Sequence, residues 1–112
     1  MGKNVCVFLA DGFEEIEGLT VVDLLRRAGV NVTTVSIMKE TTIHGAHQID
    51  VIADEVFEHM EFDKVDMLVL PGGLPGTTYL GEHEALCALL QQFYEKKKYL
   101  AAICAAPRIF GR

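Results

Sequence analysis

Three apolar runs, each cut short by turn-forming or small residues, constrain this chain more than any other feature. They are Val5-Cys6-Val7-Phe8-Leu9-Ala10 before Asp11-Gly12, Val65-Asp66-Met67-Leu68-Val69-Leu70 before Pro71-Gly72-Gly73, and Tyr99-Leu100-Ala101-Ala102-Ile103 before Cys104. A strand with one wet face alternates polar and apolar residues, whereas a near-continuous apolar run suits a strand covered on both faces, as in a parallel sheet. The segments between the runs carry helical periodicity. A helix is expected from Glu14 or Glu15, where acidic side chains meet the positive end of the dipole. Its buried stripe is Val21, Leu24, Leu25 and Ala28, Arg26 and Arg27 stand in its last turn, and Gly29 closes it. A second helix is expected from Glu82 to Lys96, with Leu86, Leu89, Leu90 and Phe93 on one face. The β-branched stretch from Val30 to Ile37 reads as a strand. MKETTIHGAHQ reads as a polar connection with a turn at Gly45, Ile49 to Ala53 as a short strand, and Val56 to Phe62 as a helical turn. Strands alternating with helices specify an α/β doubly wound sheet.

Composition excludes several function classes. The 112 residues suffice for one domain with a modest core, and half of them are hydrophobic, enough to fold rather than stay disordered. Sixteen acidic residues against ten basic ones leave a net charge of −6, which argues against a nucleic-acid partner. Lys96-Lys97-Lys98, the longest basic run, reads as the solvated end of a helix. No stretch approaches the ~18 consecutive apolar residues of a membrane span, and the acidic DGFEEIE after MGKNVCVFLA is not a signal-cleavage site; a cytoplasmic protein without a membrane partner is expected. Cys6, Cys87 and Cys104 are an odd set with no paired spacing, which fits a reducing compartment and neither a disulfide framework nor a metal site.

Doubly wound sheets bind ligands beyond the carboxyl ends of their strands. Here those ends are Ala10-Asp11-Gly12, Leu70-Pro71-Gly72-Gly73 and Ile103-Cys104-Ala105. Cys104 would stand at a strand-to-helix turn resembling a nucleophile elbow. Ala105 and Ala106 fit the crowding there, and Pro107 is tolerated in a first helical turn. A thiol at a helix N-terminus is biased toward thiolate, the nucleophilic form. Backbone N–H groups at Ala105 and in Gly72-Gly73 would suit an oxyanion. The residues alone leave this reading and an inert, buried Cys104 both open. Cys6, mid-strand, reads as core filling, Cys87 as a structural or surface thiol, and Glu17 by itself as a solvated first-turn glutamate.

ADGFEEIE (10–17), LPGGLPG (70–76) and AAICAAP (101–107), together with VVDLLRRAGV (21–30), occur in family order over essentially the whole chain. They resemble the ThiJ/PfpI family, in the branch containing the Parkinsonism-associated protein deglycase and its bacterial relatives. The resemblance implies a flavodoxin-like sandwich and a homodimer. It implies that Cys104 is the reactive cysteine and that a protonated Glu17 hydrogen-bonds its sulfur, stabilising thiolate. It further implies that Gly73, next to Gly72, and Ala105 supply the oxyanion amides, and that Asp23 and Arg27 lie near the dimer contact. The implied chemistry is addition of the Cys104 thiolate to the aldehyde carbon of a small α-oxoaldehyde such as methylglyoxal, or its adduct on a protein or another amine. The hemithioacetal would rearrange toward a hydroxy acid with Glu17 cycling its proton, and neither organic cofactor nor metal is needed. A redox-sensing or chaperone-like role for an oxidisable Cys104 stays open beside it. A cysteine peptidase ranks lower for want of a histidine partner, and so does an amidotransferase, because CAAP lacks the GxCxGxQ pattern.

Chains of that family are considerably longer. Residues 1–112 are therefore expected to be the N-terminal portion of the domain, ending just after the nucleophile elbow. The family's histidine near the cysteine comes from beyond this point, whereas His44, His47, His59 and His83 all lie upstream. His44 and His47 read as surface loop residues, or as groups reaching a partner's site across a dimer. The strand ending at Ile103 is expected to be central, and its open edge would be an aggregation hazard. The expected partner is thus the C-terminal remainder of the same protein as a separate chain.

Overall fold

A computed structural model describes residues 3–73, 75–96 and 98–102. The first apolar run forms β1 (Asn4–Leu9), followed by helix α1 (Glu15–Arg27) and β2 (Asn31–Ser36). Two short strands, β3 (Thr42–His44) and β4 (Asp50–Ile52), precede β5 (Glu55–Val56) and a 3-10 turn at Phe57–His59. The chain then forms β6 (Met67–Leu70), α2 (Gly76–Glu82), α3 (Glu84–Glu95) and β7 (Tyr99–Ala102).

Five strands make a parallel sheet in the order β5-β2-β1-β6-β7. The chain leaves β1 toward β2 on one side and later returns to place β6 on the other. The strand order therefore reverses beside β1, and the crevice at such a switch point is where open α/β sheets bind ligands.

The continuous apolar run of β1 is explained by its two covered faces. Val5, Val7 and Leu9 point into a cluster with Phe13, Val22 of α1, Ile43 of β3 and Val69 of β6. Cys6, Phe8 and Ala10 point the other way, against Leu68 and Leu70 of β6, Leu80 of α2, and Leu86, Leu89, Leu90 and Phe93 of α3. Successive strand residues face opposite sides, so both sets are buried, and each full-size side chain removed from water contributes roughly 1.5–3 kcal/mol. Cys6 is core filling, as read from the sequence, and burial pushes its thiol up to about 12.

Four expectations need correction. The buried stripe of α1 is Glu15, Gly18 and Val22, with Leu19, Val21 and Leu25 packed partly against the core. Leu24 is 59% exposed and Ala28 is exposed. The helix turns 100° per residue, so Leu24 lies about 200° from Val22 and faces away. The helix expected from Glu82 to Lys96 is α3, with its apolar face of Leu86, Leu89, Leu90 and Phe93 buried as expected, but Glu82 ends a separate, unforeseen helix, α2, parted from it at His83, whose backbone is extended (ψ 101°). The polar connection holds a strand, because β3 pairs with β4 as an antiparallel hairpin in which Ile43, opposite Val51, is fully buried. The basic run does not simply project into water. Lys98 Nζ donates to the Val65 carbonyl at 2.9 Å and lies 4.9 Å from the Phe93 ring centroid.

β7 pairs with β6 along one edge; the expectation about its other edge concerns chain outside the described residues. Among the described residues no helix is long and apolar enough to cross a membrane.

Candidate active site

The carboxyl ends of β1 and β6 are sewn together by backbone. After β1 the chain turns through Asp11-Gly12, and the Glu14 N–H donates to the Gly72 carbonyl at 2.9 Å. Glu14 is the N-cap of α1, and its side chain accepts from the Ile16 N–H at 3.2 Å. Gly73 has φ +102°, and a Cβ there would fall 2.4 Å from Glu14 N. Only glycine supplies both that left-handed conformation and that close approach.

Glu17 enters this junction from the first turn of α1. Its Oε1 accepts the Gly72 N–H at 3.1 Å. Three of the expected site residues, Glu17, Gly72 and Gly73, thus come together at the topological switch point. The last described residue of β7, Ala102, is the register partner of Leu70, one residue before Pro71-Gly72-Gly73. Cys104 and Ala105 lie outside the described residues. Asp23 and Arg27 stand further along α1 and pair with one another at 2.9 Å, both well exposed. As an exposed i,i+4 pair they stabilise the helix by only about 0.3–0.5 kcal/mol.

The histidines divide among different roles. His83 caps α3, its Nδ1 accepting the Leu86 N–H at 3.0 Å, and its ring lies 4.7 Å from that of Phe57. His59 is exposed, 4.0 Å from Glu55. His44 belongs to β3 rather than a loop; its Nδ1 is 2.8 Å from Asp50 Oδ1, and its ring is held toward protonation first by that bond and then by the Asp50 charge. His47, in the hairpin turn, stands beside α1.

The residue that sequence reasoning passed over is Glu15. A first-turn glutamate reads as solvated, yet this one is 4% exposed. Its Oε2 accepts the N–H groups of His47 at 2.7 Å and Ile49 at 3.3 Å, and its Oε1 lies 2.9 Å from His47 Nδ1. Burial pushes the carboxyl up, but the His47 imidazole and the backbone N–H groups outweigh it and hold the group at about 2. Glu14, Glu15 and His47 bring one donor atom each within 4.8 Å of one another. Glu15 is, however, already engaged by three hydrogen bonds, so the trio reads as an ion pair that docks the hairpin. A glycine at position 45, facing that carboxylate, was the available sequence signal. Glu14, Glu15, Ile16 and Glu17 together with His47 and Ile49 line a cleft of about 430 Å³.

The chain has relatives among known proteins. Residues 3–112 match the model of the DJ-1/PfpI family. The chain is 35% identical over 112 residues to protein dj-1beta of Drosophila melanogaster, covering 100% of this chain and 60% of that protein. It is 33% identical over 107 residues to a deglycase of Thermococcus kodakarensis, covering 95% of this chain and 63% of the relative. The oxidized DJ-1 of Toxoplasma gondii superimposes with a TM-score of 0.92 at 34% identity, covering 96% of this chain and 58% of that one. The chain thus spans about 60% of the length of these relatives. With a match over nearly all its residues and the glutamate and glycine turns at one switch point, this chain belongs to the DJ-1/PfpI family.

Proposed function

We propose that this chain carries most of the active site of a cysteine-dependent enzyme acting on small α-oxoaldehydes, such as methylglyoxal, or their adducts on amines. The observation that carries the reading is the Glu17 carboxylate on the Gly72 N–H. It puts a carboxyl group at the carboxyl ends of β1 and β6, where open α/β sheets bind ligands. Two peptide units separate Cys104 from Ala102, so chain geometry limits their Cα separation to about 7.6 Å. On this reading the Cys104 thiol works at the same end of the sheet as Glu17. The deglycase name of the Thermococcus relative supports the substrate class.

In this reading the Cys104 thiolate attacks the aldehyde carbon while Glu17 gives its proton to the new alkoxide. Gly73 and Ala105 supply N–H groups to that oxygen, and rearrangement yields a hydroxy acid. Asp23 and Arg27, exposed on α1, belong to the contact of a homodimer.

The test is turnover of methylglyoxal to lactate by the full-length gene product without added oxidant. Cys104→Ser abolishes it, and Glu17→Gln, which keeps an acceptor for Gly72 but cannot cycle a proton, lowers kcat by about 100-fold or more. Undiminished turnover by Cys104→Ser refutes the reading. A redox-sensing role is the second reading, favoured by the oxidized state named for the Toxoplasma structure. It predicts peroxide-dependent mass gain at Cys104 without methylglyoxal turnover.

A further inference from the structure

The β3–β4 hairpin contributes two residues to the cleft that Glu17 lines, and one of them is built like half of a catalytic dyad. The hairpin turn is pinned onto the start of α1. The Ala46 N–H donates to the Phe13 carbonyl at 2.9 Å and the Gly12 N–H to the His44 carbonyl at 2.7 Å. Gly45 presses on the Glu15 carboxylate so closely that a Cβ would fall 2.2 Å from Oε2. Within this fixed turn, His47 Nδ1 is bound to the buried Glu15 Oε1 at 2.9 Å. Nε2 has no partner among the described residues, and the side chain is 66% exposed at the cleft. A buried carboxylate on one imidazole nitrogen fixes the tautomer and ring orientation and leaves the other nitrogen to exchange protons.

We infer that His47 is a proton donor to the substrate in the Glu17 cleft, with Glu15 as its positioning residue. The inference rests on the reaction proposed for Cys104. In the hemithioacetal, Glu17 carboxylate removes the proton from the carbon that bears sulfur. That C–H electron pair becomes a carbon–carbon double bond, and the π pair of the neighbouring ketone takes a proton from Nε2, giving an enediol. Glu17 then returns its proton to the former ketone carbon, while the hydroxyl on the sulfur-bearing carbon gives its proton back to Nε2. The result is the thioester of a 2-hydroxy acid, with both side chains restored. Water cleaves it to the acid and the thiol.

Among the described residues, the charged groups against the ring come from the start of α1, Glu15 at 2.9 Å and Glu14 at 3.7 Å from Nδ1, and Glu17 lines the same cleft. The hydrogen bond to Glu15, then the charges of Glu14 and Glu15, raise His47 above its usual 6.5 against the opposing effect of burial. A donor must be protonated, so turnover falls as pH rises through the His47 value.

The experiment is the pH profile of kcat for methylglyoxal with the full-length protein, with the His47 imidazole titrated by NMR in the same samples. The wild type should lose activity on an alkaline limb that coincides with the His47 titration. His47→Gln should lower kcat by about 100-fold or more and abolish the limb. Glu15→Gln keeps the imidazole, removes the charge, and should move both the limb and the titration to lower pH. Wild-type turnover and an unchanged limb in His47→Gln overturn the inference, as does a limb that stays put in Glu15→Gln while the His47 titration moves. Absence of Cys104-dependent turnover in the wild type is a separate result: it refutes the reaction itself, and the donor role with it.

Discussion

The Gly72 N–H donates to Glu17 Oε1 across 3.1 Å, joining the end of β6 to the first turn of α1. The reverse stitch, from the Glu14 N–H to the Gly72 carbonyl at 2.9 Å, closes the junction. One glycine thus donates to and accepts from the same helix start. That double tie fixes the height of the Glu17 carboxyl above the sheet, independently of any substrate, and pre-organised groups of this kind are what a reaction at the switch point requires.

Gly73→Ala should therefore damage the site by way of the backbone. The substitution forces a Cβ into the left-handed region at φ +102° and against Glu14 N at 2.4 Å. Relief requires the β1–α1 turn to move. A loss of about 1–3 kcal/mol in stability is expected, read as a lower urea midpoint; on the proposed reading, methylglyoxal turnover by the full-length protein falls to a greater extent than stability. A variant as stable and active as the wild type would mean that the turns do not interlock in solution.

The cysteines should separate by reactivity. Cys6 is 1% exposed and its thiol is pushed up to about 12 by burial, so it should resist iodoacetamide until the protein unfolds. Cys87 is partly buried, with Sγ 3.6 Å from the Gly81 carbonyl, and should label slowly. On the proposed reading Cys104 labels first at neutral pH, because more of it is thiolate. Peptide mass mapping over a labelling time course gives the order, and early labelling of Cys87 ahead of Cys104 would refute the nucleophile.

Acid should release the hairpin from α1. The Glu15 carboxyl is held at about 2 in the folded chain, below the ordinary value near 4.3. A depressed folded value contributes stability that is present above the unfolded value and lost as pH falls through the folded one. Raising His47 works in the opposite sense, its contribution being complete below about 6.5 and lost as pH rises through its folded value. The wild type should accordingly exceed Glu15→Gln in Tm most clearly between about pH 4.3 and 6.5, and the gap should close as pH drops toward 2. A gap that persists undiminished at pH 2 would show that the carboxylate charge is not what holds the turn.

How much of this could be read from the chain depended on whether one physical signal dominated. β1 and β6 were legible because apolar residues on consecutive positions leave no wet face, and their ends were legible because Gly12 and Pro71-Gly72-Gly73 break them. The phase of α1 was not, since Val21, Val22, Leu24 and Leu25 offer overlapping stripes at helical spacing, and only packing against Phe13, Ile43 and Val69 selects Val22. The hairpin was hidden because β3 buries one residue, Ile43, among polar neighbours. Glu15 was hidden for a related reason: its burial is satisfied by backbone N–H groups more than thirty residues away, and a window on the helix contains no trace of them. Glu17, Gly72 and Gly73 were named from the family resemblance, which carries long-range information that periodicity lacks; Glu17 and Gly72 meet in one hydrogen bond between the start of α1 and the end of β6.

The break between α2 and α3 should be sensitive to pH. His83 is the N-cap of α3, and its Nδ1 accepts the Leu86 N–H at 3.0 Å. An imidazole can accept at Nδ1 only when that nitrogen carries no proton. Burial lowers the His83 value below 6.5, against smaller opposing effects of a backbone hydrogen bond and the Glu58 charge. A depressed folded value means that the cap's contribution is present above the unfolded value and is lost as pH falls through the folded one. Losing an N-cap costs about 1 kcal/mol. Amide exchange at Leu86 should therefore accelerate relative to Leu90, after correction for intrinsic rates, as pH falls from 7 through the His83 titration. His83→Asn supplies an acceptor that does not titrate there. It sacrifices the Phe57 ring contact at 4.7 Å, so its stability at neutral pH should be somewhat lower, but the acid-induced acceleration at Leu86 should vanish. If Leu86 and Leu90 keep their relative protection in the wild type through the whole titration, His83 does not act as the cap in solution.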